Sequence, residues 1–241
     1  MCCFGRDKER RCAHCGAVVD AERPDGRDPR SLLLCSGSGS LSRVARSRGW
    51  ETLTLDNDPR TRPDLVQDIR EFDPAAHGDF DWVHASPPCQ FYSIACTRCP
   101  RDFARGDTLS LAALRILEHY SERGVCCTLE NPATGFLKVR PHMLAHRNRM
   151  KVLDLCKYGA PWRKRSAYWT WNLTWEPRPL CRHDCPVSDG TRHLASAQKG
   201  ADRRKGCPGG RDQNDWKTHQ LQAIPHELAE ELCAAVEAAR A

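Results

Sequence analysis

Apolar positions along the chain fall into two alternating patterns. Short runs, SLLLC at 31–35, ETLTLD at 51–56, DFDWVHASPP at 79–88 and VCCTLENP at 125–132, have the length and composition of buried strands. Segments with helical spacing lie between them. The first follows a glycine turn after Cys35 and stops at Gly49. The second, DTLSLAALRILEHYSERG at 107–124, takes Asp107 as its N-cap and Gly124 as its stop, with Leu111, Leu114, Ile116 and Leu117 on the buried side. A last helix, with Pro225 near its start, carries Leu228, Leu232 and Val236 at four-residue spacing. Strands alternating with amphipathic helices predict an α/β fold with a doubly wound, mostly parallel sheet whose ligands bind beyond the carboxyl ends of the strands.

The same pattern divides the chain into a polar, cysteine-containing tail at 1–30, a core at 31–175, a short Cys/His-containing segment at 176–222 and a closing helix at 223–241. No internal repeat is visible. No apolar stretch is long enough to span a bilayer, and the first thirty residues lack the apolar centre of a secretory signal, so a soluble intracellular protein is expected, in the nucleus of a eukaryote or the host cytoplasm if viral.

Composition changes this picture in one respect. Fifteen cysteines without a signal peptide argue against a disulfide framework and for metal ligation alongside ordinary buried thiols. A net charge of +6 permits an anionic partner without requiring one, and the local clusters KVRPHMLAHRNRMK at 138–151 and WRKR at 162–165 are either a binding surface or a solvated basic face.

Chemistry gathers at the expected strand ends. Gly37 and Gly39 follow the first strand, where small residues let a cofactor approach the backbone at a helix N-terminus. Asp56 ends the second strand and has the place of a carboxylate that accepts from ribose hydroxyls; Asp68 is placed to reach an adenine amino group. Cys89 follows SPP after the next strand and is a candidate nucleophile, needing donors or cations to favour its thiolate. Glu130, ending the following strand, is a candidate partner for an electron-poor heterocycle.

In this order the motifs resemble those of the DNA cytosine-5 methyltransferase family. LLLCSGSGS is similar to its glycine-rich motif, LTLDNDP and VQDI to its second and third, SPPCQ to the catalytic Pro-Cys motif, LENP to the Glu-Asn motif and YGAPWRKRSAYW to the Tyr-Gly-x-Pro motif, together covering about residues 31–172. The resemblance implies a Rossmann-like S-adenosylmethionine-dependent methyltransferase acting on a flipped-out cytosine. Cys89 would add to C6, Glu130 would hold N3, and Arg163 and Arg165 would support the base or a phosphate. Cys35, Gly37, Gly39, Asp56, Asn57, Asp68 and Pro87 would form the cofactor site. The substrate would be DNA; RNA, a catalytically silent nucleic-acid-binding module, and transfer of a larger one-carbon-derived group are the alternatives.

The chain departs from the family pattern in places. Cys35 and Asn57 stand where aromatic residues are usual, Trp162 replaces the motif glutamine, and ENP replaces ENV. The arginine register around RKRS is ambiguous by one residue. About fifty residues take the place of a large target recognition domain, as in short phage, viral and algal members, so selectivity would be loose or supplied by a partner protein. Within them Cys181, Cys185 and His193 have the ligand types and spacing of a zinc site, with Cys156 or Cys207 as fourth ligand and His183 as a substitute for His193. The pairs Cys12/Cys15 and Cys96/Cys99 are candidates for a second shared metal site.

Overall fold

The computed structural model describes residues 27–94, 100–195, 197 and 218–240; Cys12, Cys15, Cys96, Cys99 and Cys207 lie outside them. Seven strands form one sheet: β1 (Arg30–Leu34), β2 (Glu51–Asp56), β3 (Leu65–Val66), β4 (Trp82–Ala85), β5 (Cys126–Pro132), β6 (Met150–Asp154) and β7 (Arg165–Trp171), in the order β3-β2-β1-β4-β5-β7-β6. The pairings β3-β2, β2-β1, β1-β4 and β4-β5 are parallel, and β7 runs antiparallel to both of its neighbours. The mostly parallel sheet expected from the sequence is therefore present, in the Rossmann-like arrangement.

Helix α1 (Ser40–Ser47) and the closing helix, α5 (His226–Arg240), cover one face; α2 (Phe103–Ser121) covers the other. Two short helices, α3 (Pro141–Leu144) and α4 (Thr218–Gln222), lie between them in sequence. Burial on both faces explains why β1 reads as an uninterrupted Leu32-Leu33-Leu34 run rather than an alternation. Leu33 joins the cluster under α1 and α5, whereas Leu32 and Leu34 join the one under α2. The closing helix seats Leu228, Leu232 and Val236 fully, and Arg48 at the end of α1 is held by Glu230 and Glu237 of α5. Among the described residues no helix is long and apolar enough to cross a membrane.

Helix α2 begins earlier than expected. Its N-cap is Asp102, whose carboxylate accepts from the Arg105 amide at 3.0 Å. Asp107 lies inside the helix and instead pairs with Arg140 (2.6 Å) and accepts from the Tyr92 hydroxyl (2.9 Å). Leu114, Ile116 and Leu117 are buried as expected, but Leu111 is 48 % exposed. The basic cluster at 138–151 forms short helical turns and the start of β6; Arg140 also lies over the Phe103 ring, and Arg149 over Trp171.

The strand order fixes where ligands bind. From β1 the chain moves outward to β2 and β3, then returns to the other side of β1 as β4, so the β1/β4 boundary is the topological switch point. Cys35 follows β1 and Ser86–Cys89 follows β4, so both loops open at that crevice.

Candidate active site

At the end of β1 the backbone turns sharply: Cys35, Gly37 and Gly39 all have positive φ, at 53°, 51° and 65°. Glycine takes this conformation freely; Cys35 adopts it at a cost. The turn brings the Gly37 amide onto Asp56 Oδ2 at 2.8 Å, while Oδ1 accepts from the Asp58 amide at 2.9 Å, fixing the carboxylate at the crevice edge.

A cavity of about 240 Å³ occupies the switch point. Cys35, Gly37, Asp56, Asn57 and Pro87 line one part of it, and Cys89 and Glu130 another. Gly39 is not on the wall; it stands at the start of α1. Asp68 is not on the wall either, being paired with Arg70 at 2.6 Å. Burial, and then the charges of Asp56 and Asp68, push the Cys35 thiol up to about 12, so it presents a small neutral group to the cavity.

The loop carrying Cys89 is held from several sides. Cys89–Phe91 form a single 3-10 turn, and Asn131, next to Glu130 on β5, donates Nδ2–H to the Pro87 carbonyl at 2.9 Å. The Asn131 Oδ1 is buried without a hydrogen-bond partner among the described residues. His84 on β4 bonds Thr128 Oγ1 (2.8 Å) and Ser86 Oγ (2.9 Å) through its two ring nitrogens, and burial drives its imidazole down to about 3, so it is neutral. Behind the turn, Tyr92 is fully buried and bonds Asp107 and Ser110, each at 2.9 Å. Burial, reinforced by the charge of Glu130, raises the Cys89 thiol above its ordinary range; Lys164 acts in the opposite direction.

The RKRS stretch leads into β7, and its basic residues go to different partners. Asp154, fully buried at the end of β6, receives Arg165 Nε and Nη2 at 3.0 and 2.9 Å, with Arg163 Nε at 3.4 Å. Arg163 and Arg165 therefore turn from the cavity, contrary to the expectation that they face the base or a phosphate. Lys164 lines the cavity in their place, and Ser166 donates to Glu130 Oε1 at 2.8 Å. Period-two alternation across RKRS is the only sequence signal for this, and it requires knowing that β7 starts there. Gln222 and Ile224 complete the wall, and the Ile224 amide donates to Ser40 Oγ at 2.9 Å.

A second constellation lies on the β6 side. Ligand atoms of Cys156, Cys181, Cys185 and His193 all fall within 4.8 Å of one another, with Cys181 Sγ and His193 Nε2 3.3 Å apart. Cys156 belongs to the turn after β6, and the other three come from the 176–195 segment. Three thiols and an imidazole converging with little solvent exposure form a set that could hold a metal ion. The His183 ring lies 4.9 Å from that of His193, tilted to it, and bonds Ser188, outside the four.

No family model matches the chain. A curated relative, the "Probable DNA (cytosine-5)-methyltransferase" of Frog virus 3 (isolate Goorha), is 28 % identical over 201 residues, spanning 73 % of this chain and 90 % of the viral protein. Similar solved structures include a Dnmt2 methyltransferase from S. pombe (TM-score 0.44, 18 % identity, 62 % of this chain) and the Entamoeba histolytica methyltransferase EhMeth (0.46, 14 %, 64 %). The chain spans 52 % and 58 % of those two proteins respectively. Its ordered motifs, the switch-point crevice that gathers Cys89 and Glu130, and the viral relative agree in what they point to: the chain is similar to the cytosine-5 methyltransferases.

Proposed function

We propose that the protein methylates C5 of cytosine in DNA, with S-adenosylmethionine as donor. The observation that carries this reading is the single cavity shared by the Gly37 turn and Asp56 on one side and by Cys89 and Glu130 on the other. The donor's fit rests on the small-residue turn and on a carboxylate already oriented by two amides, which leaves oxygen lone pairs for ribose hydroxyls. When bound, S-adenosylmethionine supplies a methyl group on a positively charged sulfur.

Cys89, as thiolate, forms a bond from Sγ to C6 of a flipped-out cytosine. Glu130 holds N3 and donates a proton there, which makes C5 nucleophilic toward the methyl group. Loss of the C5 proton to water then restores the C5–C6 double bond as the Sγ–C6 bond breaks to return the Cys89 thiolate, and N3 gives its proton back to Glu130. Burial keeps the free thiol protonated, so the entering base and the Lys164 cation share the work of favouring thiolate. Lys164 and Ser166, rather than Arg163 and Arg165, face the reacting base in this scheme. The viral relative's name favours DNA over RNA. The cluster of Cys156, Cys181, Cys185 and His193 is read as a structural Zn²⁺ site, since soft thiolates with one imidazole suit that ion.

The test is incubation of the purified protein with tritiated S-adenosylmethionine and separate DNA and RNA substrates, followed by nucleoside analysis. Label in 5-methylcytosine from DNA is expected; label from RNA alone overturns the substrate assignment. Intact mass with 5-fluorocytosine DNA reads the covalent step, because fluorine does not leave as the proton does. A protein that methylates DNA yet forms no adduct would refute the role of Cys89.

A further inference from the structure

We infer that the Cys156/Cys181/Cys185/His193 site, occupied by Zn²⁺, positions Lys164 in the active cavity. The inference rests on reading the four-ligand cluster as a zinc site.

Two short routes connect the cluster to Lys164. Along the first, the amide of Leu155, adjacent to the ligand Cys156, donates to the Lys164 carbonyl at 2.9 Å. Along the second, the amide of the ligand Cys181 donates to Asp154 Oδ2 at 3.1 Å, and the same carboxylate grips Arg165 in a two-pronged bond at 3.0 and 2.9 Å. Arg163 also reaches Asp154, at 3.4 Å. Lys164 is thus flanked on both sides by residues anchored to one fully buried carboxylate. Its own side chain instead lines the cavity with Cys89 and Glu130, and its Nζ donates to the Leu221 carbonyl at 3.2 Å.

A segment of turns can hold Cys181 against Asp154 only if something fixes the segment to the core. The 176–195 stretch has few buried apolar side chains, and Cys181 and Cys185 cluster with Cys156 and Val187 alone. Cross-linking Cys156 of the core to three ligands of that stretch through one ion supplies the restraint. The protein thereby orients a cavity cation from a metal that touches neither base nor cofactor, the role usually played by groups hydrogen-bonded to a metal's ligands, acting here in reverse.

The experiment uses the full chain purified without chelator. Metal analysis is expected to find about one zinc per chain, and exchange with Co²⁺ to give the visible absorption of a tetrahedral thiolate site. Cys185→Ser should lose both signals; a wild-type protein retaining no zinc overturns the metal reading. Asp154→Asn, which leaves all four ligands in place, tests the coupling. It should keep its zinc and its S-adenosylmethionine affinity, while iodoacetamide alkylation of Cys89, followed by peptide mass spectrometry, shifts to higher pH by roughly half a unit as Lys164 moves away. Alkylation is read without substrate, so this arm stands apart from the methyl-transfer reading. If the variant turns over, kcat should fall about tenfold at unchanged cofactor KM. Zinc retained with an unchanged Cys89 alkylation profile overturns the positioning role.

Discussion

Gly106→Ala probes how closely α2 is pressed against the loop that carries Cys89. Gly106 sits in the second turn of that helix, where alanine on propensity alone would stabilise by about 1 kcal/mol. Its added methyl would, however, stand 2.8 Å from Phe91 Cβ and 2.9 Å from Tyr92 Cζ. Carbon atoms settle near 3.5 Å, so the Cys89–Phe91 turn or the helix must yield by about 0.7 Å. Phe91 Cβ is anchored to the backbone and Tyr92 is held by Asp107 and Ser110, so rotation of a side chain does not relieve the contact. Overpacking of this kind costs about 1–3 kcal/mol, which exceeds the propensity gain, and a net loss of about 1 kcal/mol is expected in denaturant unfolding. The larger effect is on chemistry: a shift of that size at the nucleophile should slow 5-fluorocytosine adduct formation about tenfold or more, with S-adenosylmethionine binding unchanged. A variant that is more stable than wild type and forms adduct at the wild-type rate refutes the close packing of α2 on the Cys89–Phe91 turn.

Cys89→Ala should abolish methyl transfer while calorimetric titration still detects S-adenosylmethionine, because Cys35, Gly37 and Asp56 are untouched; residual turnover near wild type would count against nucleophilic catalysis. His84 has its folded pKa pushed down to about 3, so the unfolded chain takes up a proton near 6.5 that the folded one refuses. Its contribution to stability is complete above that range and is lost as pH falls from about 6.5 toward 3; unfolding free energies across this window should flatten in His84→Gln and stay equally steep if the imidazole is not buried neutral. Leu232→Ala, at a position with no exposed surface in the closing helix, should cost about 2–5 kcal/mol by chemical denaturation, and a cost under about 1 kcal/mol would mean that α5 does not complete the core.

The first half of the sheet was legible because burial on both faces writes itself into the sequence as apolar runs, and because Gly37, Gly49 and Gly124 punctuate them. The start of α2 was not. Arg105 and Gly106 interrupt the apolar rhythm of its first turns, so Asp107 looked like the cap that Asp102 is. Leu111 fits the helical spacing yet faces outward, since spacing alone does not set how wide the buried stripe is. The β6–β7 hairpin was hidden too: Met150–Asp154 continues a basic cluster, and the facing strand opens with charged residues. That omission decided the fate of the arginines, because which of Arg163, Lys164 and Arg165 meets the cavity depends on where β7 begins. Cys181, Cys185 and His193 of the four-residue cluster could be picked out together, because thiol and imidazole spacing within a polar segment reports on candidate ligation without knowledge of the strands, whereas the choice between Cys156 and Cys207 needed the fold.

The clasp of Arg48 by Glu230 and Glu237 joins residues more than 180 positions apart, and it bears on the order in which the molecule assembles. The α2 face closes with segments drawn from residues up to about 171, whereas Leu33, Val44 and Trp82 on the opposite face wait for residues 228–236. A chain synthesised from its N-terminus therefore displays half a finished sheet, with one greasy side bare, until residues 228–236 have been made. Contacts of such long range are slow to form, so docking of α5 falls late in folding. Gln222 and Ile224 belong to the segment that leads into that helix and also wall the cavity. The crevice thus acquires its last wall in the same late event that covers the α1 face, and a molecule in which that helix has not docked has no complete crevice.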